Sequence, residues 1–176
     1  MIDDANESKL VALTKLKKAE FVRVLGSIYE HSQWVAETLF DHAPLSFNST
    51  KELKDRMRLI VENSTQEQKL ALLNAHPDLA GKAALAGELT DSSTQEQAGA
   101  GLDQCTTEEL ARFMDLNNEY KQKFEFPFIM AVKGATKDQI LEGFEKRTPN
   151  DWQTEFDTAI QEVHKIAGFR LDALSM

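Results

Sequence analysis

Four histidines, one arginine in an apolar stripe and two copies of one pentapeptide carry most of the chemical potential of this sequence. The histidines are His31, His42, His76 and His164. No two of them stand at the helical spacing of a metal site, and there is neither an HExxH motif nor a Cys/His cluster. No metal centre is therefore expected. No Gly-x-Ser-x-Gly turn supports a serine nucleophile, and Ala98-Gly99-Ala100-Gly101 resembles a nucleotide-binding loop only superficially. His76 closes the apolar run Leu70–Ala75 and is followed by Pro77, which stops a helix. One reading is a helix-end histidine, favoured by the dipole by ~0.3–1 kcal/mol when protonated. The other is an imidazole fixed at a site edge, where it moves protons near neutral pH.

Arg170 falls in the middle of a stripe formed by Trp152, Phe156, Ile160, Val163, Ile166, Ala167 and Leu174. A guanidinium there needs an anionic or hydrogen-bonding partner. That partner is an acidic side chain, a helix-end carbonyl or a bound anion, unless the stem snorkels to water. Ser-Thr-Gln-Glu-Gln occurs at 64–68 and again at 93–97. In each copy the Ser and Glu have the spacing of a capping box. Only the second copy runs on into glycine-rich sequence, which suits close backbone approach to a ligand.

These residues need elements to hold them, and the elements read as helices. Ser49…Glu52, Ser64…Glu67, Ser93…Glu96, Thr106…Glu109 and Thr136…Gln139 are helix-start pairs. Phe21, Val24, Leu25 and Ile28 form one helical stripe, and Leu110, Phe113, Met114 and Leu116 begin another. Phe126–Val132 is apolar, but Pro127 removes a donor and no partner strand is evident, so it reads as a buried extended segment or helix start. Gly81, Gly87, Gly99 and Gly101 make poor continuous helix and mark a first guess at a site. The fold class is all-α: one compact multi-helix domain over residues 1–176, with 1–15 a peripheral or less ordered segment.

Composition narrows the partners. A net charge of −9 repels phosphate backbones, so nucleic acid is not expected. The short basic cluster at Lys15–Lys18 reads as a solvated helix face. No stretch approaches the ~20 apolar residues of a membrane span. Single Cys105 suits a reducing compartment and reads as a loop thiol. The acidic start does not read as a secretory signal, and Leu-Ser-Met at the end is not a peroxisomal address. The expected location is the cytoplasm.

Several ordered motifs together carry a resemblance. His76-Pro77-Asp78-Leu79-Ala80-Gly81-Lys82, Gly87-Glu88-Leu89-Thr90 and Ser93–Leu102 stand in sequence. Leu116–Tyr120, Phe126–Gly134 and Val163–Leu171 follow at the right separations, and Tyr29–Ala36 precedes them. From about Leu16 to Leu174 the chain resembles the 2-oxo-4-hydroxy-4-carboxy-5-ureidoimidazoline (OHCU) decarboxylases. Gln33 departs from the pattern, which carries proline at that position.

The resemblance implies an all-helical, cofactor-free homodimer that removes CO2 from OHCU to give (S)-allantoin, the last step from urate. It assigns His76 as catalytic acid/base, with Glu96 beside it and Pro77 shaping the site. Ser93, Thr94, Gln95, Glu96 and Gln97 would contact substrate, chiefly through Glu96 and Gln97. The backbone of Phe128, Ile129, Met130, Ala131 and Val132 would bind ring and ureido groups, and Arg170 an anionic or carbonyl oxygen. The rivals are a helical scaffold without catalysis, which leaves the arginine in an apolar stripe unexplained, and an enzyme acting on another ureido compound.

Overall fold

The computed structural model describes residues 4–42, 45–81 and 87–174, with side chains described from residue 7 onward. Lys82 of the His76 motif, Met1–Asp3 and the C-terminal Ser175-Met176 lie outside the described residues. Nine α-helices form among the described residues: α1 Asp4–Thr14, α2 Lys18–Leu25, α3 Trp34–Asp41, α4 Thr50–Glu62, α5 Gln66–Asn74, α6 Asp91–Gly99, α7 Thr107–Phe124, α8 Lys137–Arg147 and α9 Trp152–Asp172. A 3-10 turn, Leu102–Gln104, follows α6 after Gly101, whose φ of +79° is open to glycine at little cost. No strand is present among them.

Local chemistry sets several starts. Thr106/Glu109 and Thr136/Gln139 form complete reciprocal capping boxes at α7 and α8. At α4 the Ser49 hydroxyl accepts from the Glu52 N–H, while the Glu52 carboxylate reaches one residue further back, to the Asn48 N–H. Two expected boxes are corrected. At α5 the reciprocal pair is Thr65/Gln68, not Ser64/Glu67. The Ser64 hydroxyl instead donates to the Val61 carbonyl (2.5 Å). At α6 the cap is Thr90, whose hydroxyl accepts from the Ser93 N–H (3.2 Å). The helix therefore starts three residues early, and Ser93 and Glu96 lie inside it.

The chain divides into two compact units, Met1–Leu72 with His164–Met176, and Leu73–Val163. In the first, α4 buries Leu53, Met57 and Val61, one residue per turn, and α2 buries Phe21 and Leu25. Each such side chain contributes about 1.5–3 kcal/mol. The N-terminal helix also belongs here: α1 buries Leu10 and Leu13, and the Lys9 ammonium donates to the Leu171 carbonyl at 3.0 Å. An apolar i, i+3 pair is enough to dock a helix whose sequence is otherwise polar.

The same unit holds a buried polar line. The Tyr29 hydroxyl lies 2.8 Å from His164 Nδ1, and Glu62 Oε1 lies 2.8 Å from His164 Nε2. Burial pushes the imidazole below its ordinary 6.5, more strongly than Glu62 raises it. Burial also raises the Tyr29 hydroxyl.

The second unit is organised by α7, which buries Phe113, Asn117, Tyr120 and Phe124 along one face. Aromatic rings fill its core. Phe128 stacks on Phe144 with centroids 3.9 Å apart and meets the Tyr120 ring edge-on at 5.3 Å. Trp152 stacks on Phe156 and donates its indole N–H to the Phe124 carbonyl. Residues 127–132 carry no regular structure, and Phe128, Ile129 and Val132 are buried. This is the extended alternative of the two readings of that run.

Candidate active site

α5 ends at Asn74, and His76 follows two residues later, 9% exposed, with its N–H donating to the Leu73 carbonyl. The apolar turns of α5 and the stop at Pro77 thus place a nearly buried imidazole at a helix end. The loop after it is held from two helices. From α6, Gln97 Oε1 accepts from the Ala80 N–H (3.0 Å) and its Nε2 donates to the Asp78 carbonyl (3.2 Å). From α7, Asn117 Nδ2 donates to the Leu79 carbonyl (2.9 Å), and the Lys121 ammonium meets Asp78 Oδ2 at 2.6 Å. These bonds fix a strained turn: Ala80 has φ +53°, which costs a residue with a Cβ about 1–2 kcal/mol.

The second pentapeptide lies along α6. Ser93 and Gln97 are buried, Glu96 is half-buried, and Thr94 and Gln95 are exposed. The Thr94 hydroxyl donates back to the Thr90 carbonyl. One helix thus presents Ser93, Glu96 and Gln97 inward and turns Gln95 outward, since residues two apart do not share a face. Gln97 has both ends of its amide on the His76 loop, a bracing role that its expected substrate contact did not include.

Residues 127–132 form the third piece. Helical hydrogen bonds do not consume this backbone, so its polar groups are open to other partners. Ile129 O accepts from Arg147 Nη1 at 2.5 Å, and the Ala131 N–H donates to Glu162 Oε1 at 3.3 Å. His76, Pro77, Ser93–Gln97 and Phe128–Val132 all belong to the second unit. Arg170 belongs to the first, where it is 9% exposed. Its Nη2 meets Glu30 Oε2 at 2.7 Å and its Nη1 donates to the Ser27 carbonyl at 3.2 Å. An acidic partner was one of the alternatives read from the sequence for this buried guanidinium.

A cavity of about 330 Å³ adjoins α6, lined by Ala80, Gly87, Leu89, Thr94, Gln97, Ala98, Leu102, Asp103, Cys105 and Leu110. Neither His76 nor the 128–132 segment lines it. Burial raises the Cys105 thiol, which suits a quiet loop cysteine better than a nucleophile. No group of three or more His, Cys, Asp or Glu among the described residues is placed to hold a metal ion. No described helix is long and apolar enough to cross a membrane.

Sequence reasoning missed Asn117, Arg147 and Glu155 as individual residues. Asn117 and Glu155 each interrupt an apolar helical stripe, the same signal that exposed Arg170. Arg147 gave no such signal, because it ends a helix after Lys146, where basic residues are ordinary.

Comparison with known proteins supplies the relationship. The family model for OHCU decarboxylase matches residues 14–172. The OHCU decarboxylase of Haloferax volcanii is 42% identical over 94% of this chain and 95% of its own length. That of Xenopus laevis is 33% identical over 92% and 91%. A solved (S)-allantoin synthase superposes with a TM-score of 0.77 at 37% identity, covering 95% of this chain, which spans about half (53%) of that one. An OHCU decarboxylase crystallised in the presence of (S)-allantoin shares the fold, with a TM-score of 0.67 at 23% identity. This chain belongs to the OHCU decarboxylase family.

Proposed function

We propose that this protein decarboxylates OHCU to (S)-allantoin in urate breakdown, without a cofactor, and that His76 moves the proton. The observation that carries the site is the clamped loop: a nearly buried imidazole opens a segment whose backbone is bonded by Gln97, Asn117 and Lys121. Relatives named for this activity match over nearly the whole chain.

The chemistry suits these residue types. The bond from ring carbon to carboxylate breaks, CO2 leaves, and the electron pair is delocalised into the ring. A proton then adds to one face. His76, aided by Glu96, takes the proton of the substrate hydroxyl or delivers the final one. Backbone N–H groups of Phe128–Val132 hold the charge that gathers on oxygen. Pro77 limits the mobility of the loop at the imidazole, and Ser93 and Gln97 shape the adjoining wall. On the pattern of the resemblance, the enzyme works as a homodimer, and the lone Cys105 suits the reducing cytoplasm.

The test is to generate OHCU freshly from urate, add the protein and follow the optical activity of the allantoin formed. Rapid formation of the S form is expected; racemic product at the uncatalysed rate overturns the assignment. His76→Asn should abolish turnover and leave the circular dichroism of the fold unchanged. Near-normal activity in that variant removes His76 from the mechanism.

A further inference from the structure

In the second unit the largely buried Arg147 side chain bonds to main chain within the candidate substrate-binding stretch. Its Nε and Nη2 engage the Glu155 carboxylate, at 3.0 and 2.8 Å from Oε2, and its Nη1 reaches Ile129 O at 2.5 Å. Glu155 is fully buried and also accepts from the Tyr120 hydroxyl and from Asn150 Nδ2. The carboxylate is thus saturated with donors and cannot swing away. The guanidinium also lies 4.4 Å over the Phe128 ring, and that ring is pinned by Phe144. Arginine is suited to this place: its planar fork serves a carboxylate with one edge and a carbonyl with the remaining nitrogen.

The consequence lies in the peptide geometry. A peptide unit is planar and trans, so its C=O and N–H point in opposite directions. Fixing Ile129 O at Arg147 therefore aims the Met130 N–H away from the guanidinium. The next unit is fixed from its other end, because the Ala131 N–H donates to Glu162. Two consecutive peptide planes are thereby set by buried or half-buried side chains rather than by secondary structure.

We propose that Arg147, locked by Glu155 and Tyr120, is a positioning residue that aims the Met130 N–H at a carbonyl oxygen of the substrate ring or ureido group. This rests on the reading of Phe128–Val132 as substrate-binding backbone. Arg147 itself does not touch the reacting atoms. The bond it aims serves ground state and transition state alike, so its loss raises KM and spares kcat.

The test is Arg147→Lys, which keeps the charge but cannot serve Glu155 and Ile129 O together. Steady-state kinetics on freshly generated OHCU are measured beside residue-resolved amide exchange without ligand. The expected result is KM raised about tenfold or more with kcat within about threefold. Amide exchange should be accelerated across Phe128–Val132 and unchanged elsewhere in 73–163. An unchanged KM overturns the proposal, as does exchange accelerated throughout the unit, which would make Arg147 a general support of the fold. If the lysine variant does not fold, Tyr120→Phe removes one lock from Glu155 and leaves the guanidinium intact. A smaller KM rise with the same local exchange pattern is then expected, and wild-type values overturn the proposal. Wild-type protein inert towards OHCU would instead sink the activity assignment, and the ligand-free exchange would still decide the brace.

Discussion

The same five residues, Ser-Thr-Gln-Glu-Gln, meet two different fates in this molecule. At 64–68 the pentapeptide straddles a helix start: Thr65 and Gln68 cap α5 reciprocally, and residues 65–68 are exposed. At 93–97 it lies wholly inside α6, which Thr90 has already capped, and Ser93 and Gln97 are buried. Flanking residues made the difference. Ser64 is drawn to the Val61 carbonyl at the end of α4, which leaves the cap to Thr65. Thr90 stands one turn ahead of Ser93 and takes over its role. A cap signature is therefore a capacity, and the first hydroxyl free to use it decides the register. The pentapeptide displaced inward becomes available for a site.

The comparison can be broken at its functional end first. Glu96→Gln should lower kcat by about a hundredfold or more, as expected for loss of a group aiding proton transfer. Glu67→Gln, at the same place in the exposed copy, should leave turnover within about twofold, as surface changes do. Equal effects in assays on fresh OHCU would remove the distinction between the copies.

Next comes stability. Gln97→Ala strips partners from the Ala80 N–H and the Asp78 carbonyl, both in the strained loop beside His76. Chemical denaturation should show a loss of about 1–3 kcal/mol. Gln68→Ala removes only an exposed cap contact and should cost about 0.5 kcal/mol. Thr90→Ala sharpens the register assignment and should cost about 1 kcal/mol with fraying of α6. An unchanged melting temperature would mean that α6 starts elsewhere.

The smallest effect concerns Glu62, two residues ahead of the first copy. Glu62 bonds His164, whose burial holds it neutral and below its ordinary 6.5. The unfolded chain takes up a proton near 6.5 that the folded chain resists, so this contribution is full above that pH and falls on acidification towards the lowered value. Melting temperatures of wild type should decline between about pH 7 and 5 more steeply than those of His164→Gln. Parallel curves would show that the line from Tyr29 to Glu62 does not titrate.

Much of the architecture was legible because helices announce themselves locally. Capping boxes at Thr106 and Thr136, and the stripes through Phe113 and Phe21, depend on residues within a few positions of each other. Arg170 was legible for the same reason, since a charge in an apolar stripe must find a partner, and it found Glu30. The bonds on the His76 loop were not legible. Gln97 and Asp78 are 19 residues apart, and Asn117 and Leu79 are 38 apart. No periodicity links residues so far apart. The helical character of residues 4–14 was also hidden, because only Leu10 and Leu13 dock it against a largely polar sequence.

By itself, then, the sequence determined the helical class, the helix starts at Ser49, Thr106 and Thr136, the family and the residue types offered for proton transfer, all of which rest on short-range spacing and ordered motifs. The tertiary structure alone decided which hydroxyl caps α6, that Gln97 spends its amide on the His76 loop, and that Arg147 holds the Ile129 carbonyl. Those outcomes follow from competition between distant groups for the same hydrogen bonds, and a linear string of residues does not rank the competitors.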